Sequence, residues 1–148
     1  MDTAFISRDD LGAAFVALLE FEYDAVSAYR AAVLRIDDQQ ARLAFEGFQA
    51  DHERHVREIG ALVRQAGLQV PDAGDIRQML TVGKVVIGNL AGNRGIIAAM
   101  GSNEKETNAL FENALRRGDL TPAQRAVLVR ALDDERRHLN WITARLPH

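Results

Sequence analysis

Four stretches of this chain carry apolar residues at alternating steps of three and four, and each is interrupted near its middle by an acid or an imidazole. The first reads Leu11, Phe15, Leu18, Glu22, Ala25, Tyr29, Ala32, Ile36. The second reads Phe45, Phe48, His52, His55, Ile59, Leu62, Ala66. The third is Ile97, Met100, Glu104, Thr107, Phe111, Ala114, and the fourth Leu128, Ala131, Glu135, His138, Ile142. Steps of three and four keep one face of an α-helix turned toward a bundle core. The pattern therefore predicts an all-α, antiparallel four-helix bundle with a polar layer inside it.

Turn chemistry sets the expected boundaries. The first helix is expected over about 9–36, with Ser7, Asp9 or Asp10 as cap. The second runs over about 38–66, closed by Gly67 and followed by Pro71. Thr121-Pro122-Ala123-Gln124 supplies a cap, a first-turn proline and a capping-box glutamine for a last helix over 122–145. Between residues 75 and 117, five glycines at 83, 88, 92, 95 and 101 weaken a continuous helix. That region divides into a short helix over about 75–90, within a long crossover connection, and a bundle helix over about 93–117. Gly88 and Gly92 have the spacing of a close-packing face, toward a bundle helix or a second copy in a homo-oligomer. At 148 residues the chain is expected to form one domain, 1–148.

Composition removes several classes of function. A net charge of −3 gives no electrostatic footprint for nucleic acid. Cysteine is absent, so any metal site rests on carboxylate and imidazole. The N-terminus MDTAFISRDD has no apolar core of a signal peptide. The most apolar stretch, 79–100, is broken by Lys84, Asn89, Asn93 and Arg94, so no membrane span is expected. A cytoplasmic location is the default expectation.

The interruptions of the seams are Glu22, His52, His55, Glu104, Glu135 and His138, which include three of the chain's four histidines. Isolated ionised groups do not persist in a dry core; they are paired, neutralised or coordinated to metal. Six ligand-type residues on four converging faces point to a site for one or two divalent cations. Residues three apart share a helix face, so His52 with His55, and Glu135 with His138, can serve one site. Ligating histidines usually donate their second ring N–H to a carboxylate. Asp51 and Asp134, each one step before its seam, could reach the histidine of the facing helix. The words DHERH (51–55) and DERRH (134–138) share that leading Asp. Glu22 precedes His55 by 33 residues and Glu104 precedes His138 by 34, so the chain reads as two helical hairpins about a pseudo-twofold. The alternative for the six residues is a metal-free network of protonated histidines and glutamates in a relic site. His52 alone reads equally as a ligand, as a hydrogen-bond partner of a ligand, or as a satisfied core histidine. Tyr29 is either a redox or proton partner of the site or a core tyrosine with its hydroxyl bonded. Arg54 and Arg137 are expected on the exposed face, or paired with glutamates of neighbouring helices. The string HERH is not the zinc-protease word, which needs its histidines four apart.

On these residues the sequence resembles the ferritin-like di-iron carboxylate superfamily, which includes bacterioferritins and rubrerythrins. The resemblance covers all four seams. It aligns Glu22 and Tyr29 with the first-helix Glu and Tyr, Glu104 with the third-helix Glu, and Glu135 with His138 as the fourth-helix Glu-x-x-His pair. His55 matches the second-helix histidine, and His52 stands where relatives carry a bridging Glu. The resemblance implies non-haem iron, in one or two ions, with manganese or zinc as other occupants, and a ferroxidase, oxidase or peroxide-handling activity on a small oxidant such as oxygen. It also implies Glu22 and Glu104 as terminal ligands, Glu135 as a bridge, and His55 and His138 as one nitrogen ligand per metal. Three carboxylates in place of four leave two divalent ions a formal charge of about +1. Glu53 stands where bacterioferritins carry their haem-ligating Met, so haem is not expected. The competing class is a non-enzymatic, metal-free bundle with a degenerate site, acting in interaction or stress-related assembly.

Overall fold

The computed structural model describes residues 3–70 and 92–146, with side chains from residue 11 onward. These residues form four helices: α1 (Thr3–Arg35), α2 (Gln39–Gln65), α3 (Gly92–Leu115) and α4 (Pro122–Arg145). α1 packs on α2 and α3 on α4, and the two hairpins meet through α1 on α3 and α2 on α4. The fold is an all-α, antiparallel four-helix bundle. None of the described helices is long and apolar enough to cross a membrane.

The ends of the helices follow local chemistry. Asp38 caps α2 by accepting the Ala41 N–H at 3.0 Å. α2 closes on Gly67 at φ +81°, a left-handed conformation that suits glycine. The Leu68 N–H bonds the Val63 carbonyl and the Gly67 N–H bonds that of Arg64, the two bonds of a Schellman closure. At α4 the Thr121 hydroxyl accepts the Gln124 N–H while the Gln124 side chain accepts the Thr121 N–H, with Pro122 in the first turn.

One boundary departs from expectation. α1 begins at Thr3, so Ser7, Asp9 and Asp10, expected as caps, lie inside the helix. No proline or glycine stands between Thr3 and Leu11, and once nucleated a helix extends at one bond per residue. The expected short helix over 75–90, with Gly88 and Pro71, lies outside the described residues.

The core divides in two. Ala28, Ala32, Ile36, Phe45, Ile97 and Met100 belong to one apolar cluster, and Phe15, Leu18, Ile59, Leu62, Phe111 and Leu128 to another. α1 and α4 run from the second cluster toward the first; α2 and α3 run the other way. α2 therefore ends, and α3 begins, at opposite ends of the bundle, which is the connectivity of a crossover. Between the two clusters lie the buried polar residues of all four helices.

Candidate metal centre

Glu22, His52, His55, Glu104, Glu135 and His138 are all at most 1% exposed. Helical periodicity places them there: each continues an apolar seam whose neighbours one turn away are core. The six form two overlapping groups, Glu22–His52–His55–Glu135 and His52–Glu104–Glu135–His138. Within each group, one ligand-type atom per residue lies within 4.8 Å of the others. Both groups can hold a metal ion.

His52 sits at the centre. Its Nδ1 lies 2.6 Å from Glu22 Oε2 and its Nε2 lies 3.1 Å from Glu104 Oε1. His55 Nδ1 faces both oxygens of Glu22 at 3.3 Å, and His138 Nδ1 lies 3.2 Å from Glu104 Oε1. The Tyr29 hydroxyl donates to the same Glu104 oxygen at 2.5 Å. The Tyr29 ring stacks on His52, and Phe48 stacks on His138 at 4.1 Å between centroids. These rings fill the space around the imidazoles and restrict their rotation.

The outer ring nitrogens are bonded crosswise. His55 Nε2 on α2 lies 2.8 Å from Asp134 on α4, and His138 Nε2 on α4 lies 2.8 Å from Asp51 on α2. Two arginines close the same layer. Arg54 bonds Asp134 and Asp51, while Arg137 bonds Asp51 and Asp134, each at 2.9 Å. Both arginines lie on the exposed face as expected; the alternative, pairing with glutamates of neighbouring helices, needs correcting. They pair chiefly with aspartates across the α2–α4 seam, because the leading Asp of each word projects toward the opposing helix; Arg54 also approaches Glu58 at 3.5 Å.

One buried polar group was not anticipated. The Asn108 amide donates to the backbone carbonyls of Glu104 at 2.8 Å and Glu135 at 3.2 Å, tying α3 to α4 beside the site. Its signal in the sequence is a lone amide one turn after Glu104, adjacent to the seam position Thr107.

Electrostatics follow from burial and from the imidazoles. Burial pushes the Glu22 carboxyl up, but the charges and hydrogen bonds of His52 and His55 outweigh it and hold Glu22 at about 2. Glu104 is likewise buried and held well below the carboxylate range by His138 and His52. Glu135 goes the other way, to about 8, because burial and the nearby Glu22 charge outweigh the histidines. Burial opposes charge on the three histidines, yet the carboxylates raise all three, His55 to about 10. Burial and the Glu104 charge raise the Tyr29 hydroxyl well above its ordinary value.

Three buried side-chain oxygens in this layer accept no well-aligned hydrogen bond: Glu104 Oε2, Glu135 Oε1 and Glu135 Oε2, the Oε1 of Glu135 lying 3.2 Å from His55 Nδ1. Leaving a buried acceptor unpaired costs about 1–3 kcal/mol, more for a charged group. A cation among these oxygens and the facing imidazoles satisfies all three, so the donor set fits a hard or borderline divalent ion.

A family model matches residues 11–117, which span most of α1 and all of α2 and α3. The chain belongs to the DUF2383 family, described as a domain of unknown function. The DUF2383 match includes Glu22, Tyr29, Asp51, His52, His55 and Glu104, and stops before Asp134, Glu135 and His138. No curated protein matches the chain.

Proposed function

We propose that this DUF2383 chain is a single ferritin-like domain that binds non-haem iron and acts on oxygen or peroxide. The observation that carries this reading is the set of three unpartnered, buried carboxylate oxygens facing imidazole nitrogens between two apolar clusters. Glu22, Glu104, Glu135, His52, His55 and His138 are the residues available to hold the metal. Bound iron supplies one-electron redox chemistry toward a small oxidant. Manganese and zinc suit the same donors; the mixed carboxylate and imidazole set, without thiolate, suits iron.

The chain's own residues have definable parts in this reading. Asp51 and Asp134 accept the outer N–H of His138 and His55, which fixes the tautomer that leaves each Nδ1 turned inward. Arg54 and Arg137 hold those two aspartates in place. The apolar clusters on either side exclude bulk water, which strengthens electrostatic interactions inside the layer. The Tyr29 hydroxyl keeps a proton at Glu104 Oε1, where it can serve as a proton partner of the site.

A second reading has its own observation. The His52 ring spans Glu22 and Glu104, so an imidazolium there partly neutralises the layer without metal. In that reading the chain is a metal-free bundle acting in interaction or assembly. Elemental analysis of protein purified without chelator separates the two. Iron bound to the chain, with Glu135→Ala depleting it, is the expected result. No metal above background, and no uptake on anaerobic Fe(II) addition, rejects the metalloprotein reading. Oxygen consumption after Fe(II) loading then separates an enzyme from a passive binder.

A further inference from the structure

The two overlapping groups of four share His52 and Glu135, but hydrogen bonds divide the site unequally. On the Glu22 side the ligand-type atoms are already engaged. Glu22 Oε2 lies 2.6 Å from His52 Nδ1, and both Glu22 oxygens lie 3.3 Å from His55 Nδ1. His55 Nε2 is committed as well, to Asp134 at 2.8 Å. His55 Nδ1 also lies 3.2 Å from Glu135 Oε1, so His55 is held between carboxylates of α1 and α4.

The Glu104 side is the reverse. Tyr29, His52 Nε2 and His138 Nδ1 all converge on Glu104 Oε1 and leave Oε2 without a partner. Glu135 Oε2 is also without one, 3.7 Å from His138 Nδ1, while Glu135 Oε1 is turned toward His55 Nδ1 at 3.2 Å. His138 has its outer nitrogen bonded to Asp51, and its Nδ1 lies 3.2 Å from Glu104 Oε1 and 3.7 Å from the open Glu135 Oε2.

We infer that the chain holds a single divalent cation, placed asymmetrically on Glu104, Glu135, His138 and the Nε2 of His52, with Glu22 and His55 as hydrogen-bonding partners and not as ligands. The inference rests on the metal-binding reading above and narrows it. A neutral imidazole offers one N–H and one lone pair. The 2.6 Å bond to Glu22 is the shortest that His52 makes, so it retains the proton on Nδ1 and leaves Nε2 for the cation. A cation held by all four residues of the Glu22 group needs the Nδ1 lone pair, which means breaking that bond and displacing His55 from Glu22. Charge agrees with the placement. Glu104 and Glu135 neutralise one divalent ion, while Glu22 stays bonded to His52 and His55. His52 is thus the residue that selects one cation position out of two.

The test uses the full chain, stripped with chelator and reloaded with Co(II) or Cd(II). Dialysis and elemental analysis should find one ion per chain, and cadmium NMR should show one resonance. Glu22→Gln, which removes a hydrogen-bonding partner of His52, should weaken binding by about 10–100-fold, and Glu104→Gln, which removes a ligand oxygen, should weaken it further. Circular dichroism checks that both variants keep their helices. Nitrogen NMR of the loaded, unmutated protein gives a readout independent of any variant: a proton retained on His52 Nδ1 and none on Nε2. Two ions per chain, equal losses in the two variants, or a proton on Nε2 would overturn the asymmetric assignment while leaving metal binding intact. Failure of the unmutated chain to take up any ion would overturn the metal reading itself.

Discussion

Tyr29 shows how packing and chemistry share one side chain. Its ring packs edge-on to Phe45 and Phe48, and its hydroxyl meets Glu104. Replacing it with Phe keeps the ring contacts and removes one donor to a buried carboxylate. In the metal-free chain Glu104 Oε1 retains His52 and His138 as partners, so the cost there should lie near the lower end for hydrogen bonds to charged groups, about 1.5 kcal/mol. Urea unfolding of Tyr29→Phe should show a lower midpoint with an unchanged slope. A variant as stable as the parent would mean that the hydroxyl contributes nothing net to the fold. At this scale the sequence was informative because a charged residue at a seam position has few fates. All six residues named from the seams are buried together. The hydrogen-bond pattern was not legible, since the choice of Glu22 or Glu104 for each His52 nitrogen depends on side-chain orientation and not on spacing.

The helices answer to local rules with separable energies. At α4 the Thr121 hydroxyl and the Gln124 amide satisfy each other's backbone donors. Thr121→Ala removes half of that box and should cost about 1 kcal/mol. The cap is exposed and remote from the polar layer, so metal content should stay as in the parent; a thermal melt and elemental analysis together check both statements. Gly67 and the capping box were readable because they act over a few residues. The start of α1 was not, because three candidate caps competed and nothing within the segment forces a helix to stop. Gly101 is a subtler case. It was expected to weaken a helix, yet it sits buried in α3 where an added Cβ would lie 3.2 Å from Ile142 of α4. The reason for a glycine there is a neighbour 41 residues away in the chain, which no local pattern reveals.

Across the whole molecule, the buried layer links stability to protons and to metal. Glu22, held at about 2, stabilises the metal-free fold above the ordinary carboxylate range, and that contribution is lost as pH falls toward 2. His55, raised to about 10, contributes fully below its ordinary 6.5 and loses that contribution as pH rises toward 10. Glu135, raised to about 8, favours its protonated form and becomes a growing penalty between 4.5 and 8. The chelated protein should therefore be most stable at about pH 5 and lose stability steadily toward pH 10. Melting temperature measured across that range checks the sign; stability rising from pH 6 to 9 would contradict it. Metal loading replaces protons at the site. The loaded protein should melt higher than the chelated one at pH 7 and above, and the gap should widen with pH until the ion precipitates as hydroxide.

The sequence alone determined the bundle, the antiparallel order and the six residues of its polar layer. It could do so because helical periodicity is a local property, and a break in an apolar seam marks a group that must be paired once buried. The crosswise bonds of Asp51 and Asp134 were foreseeable from the repeated words. Only the tertiary structure decided how the layer is divided. It paired Arg54 and Arg137 with aspartates, placed Asn108 between α3 and α4, and engaged both oxygens of Glu22 while leaving Glu104 Oε2 and Glu135 Oε2 open. Those outcomes depend on distances of tenths of an ångström between side chains on different helices, and spacing along one helix carries no information about them.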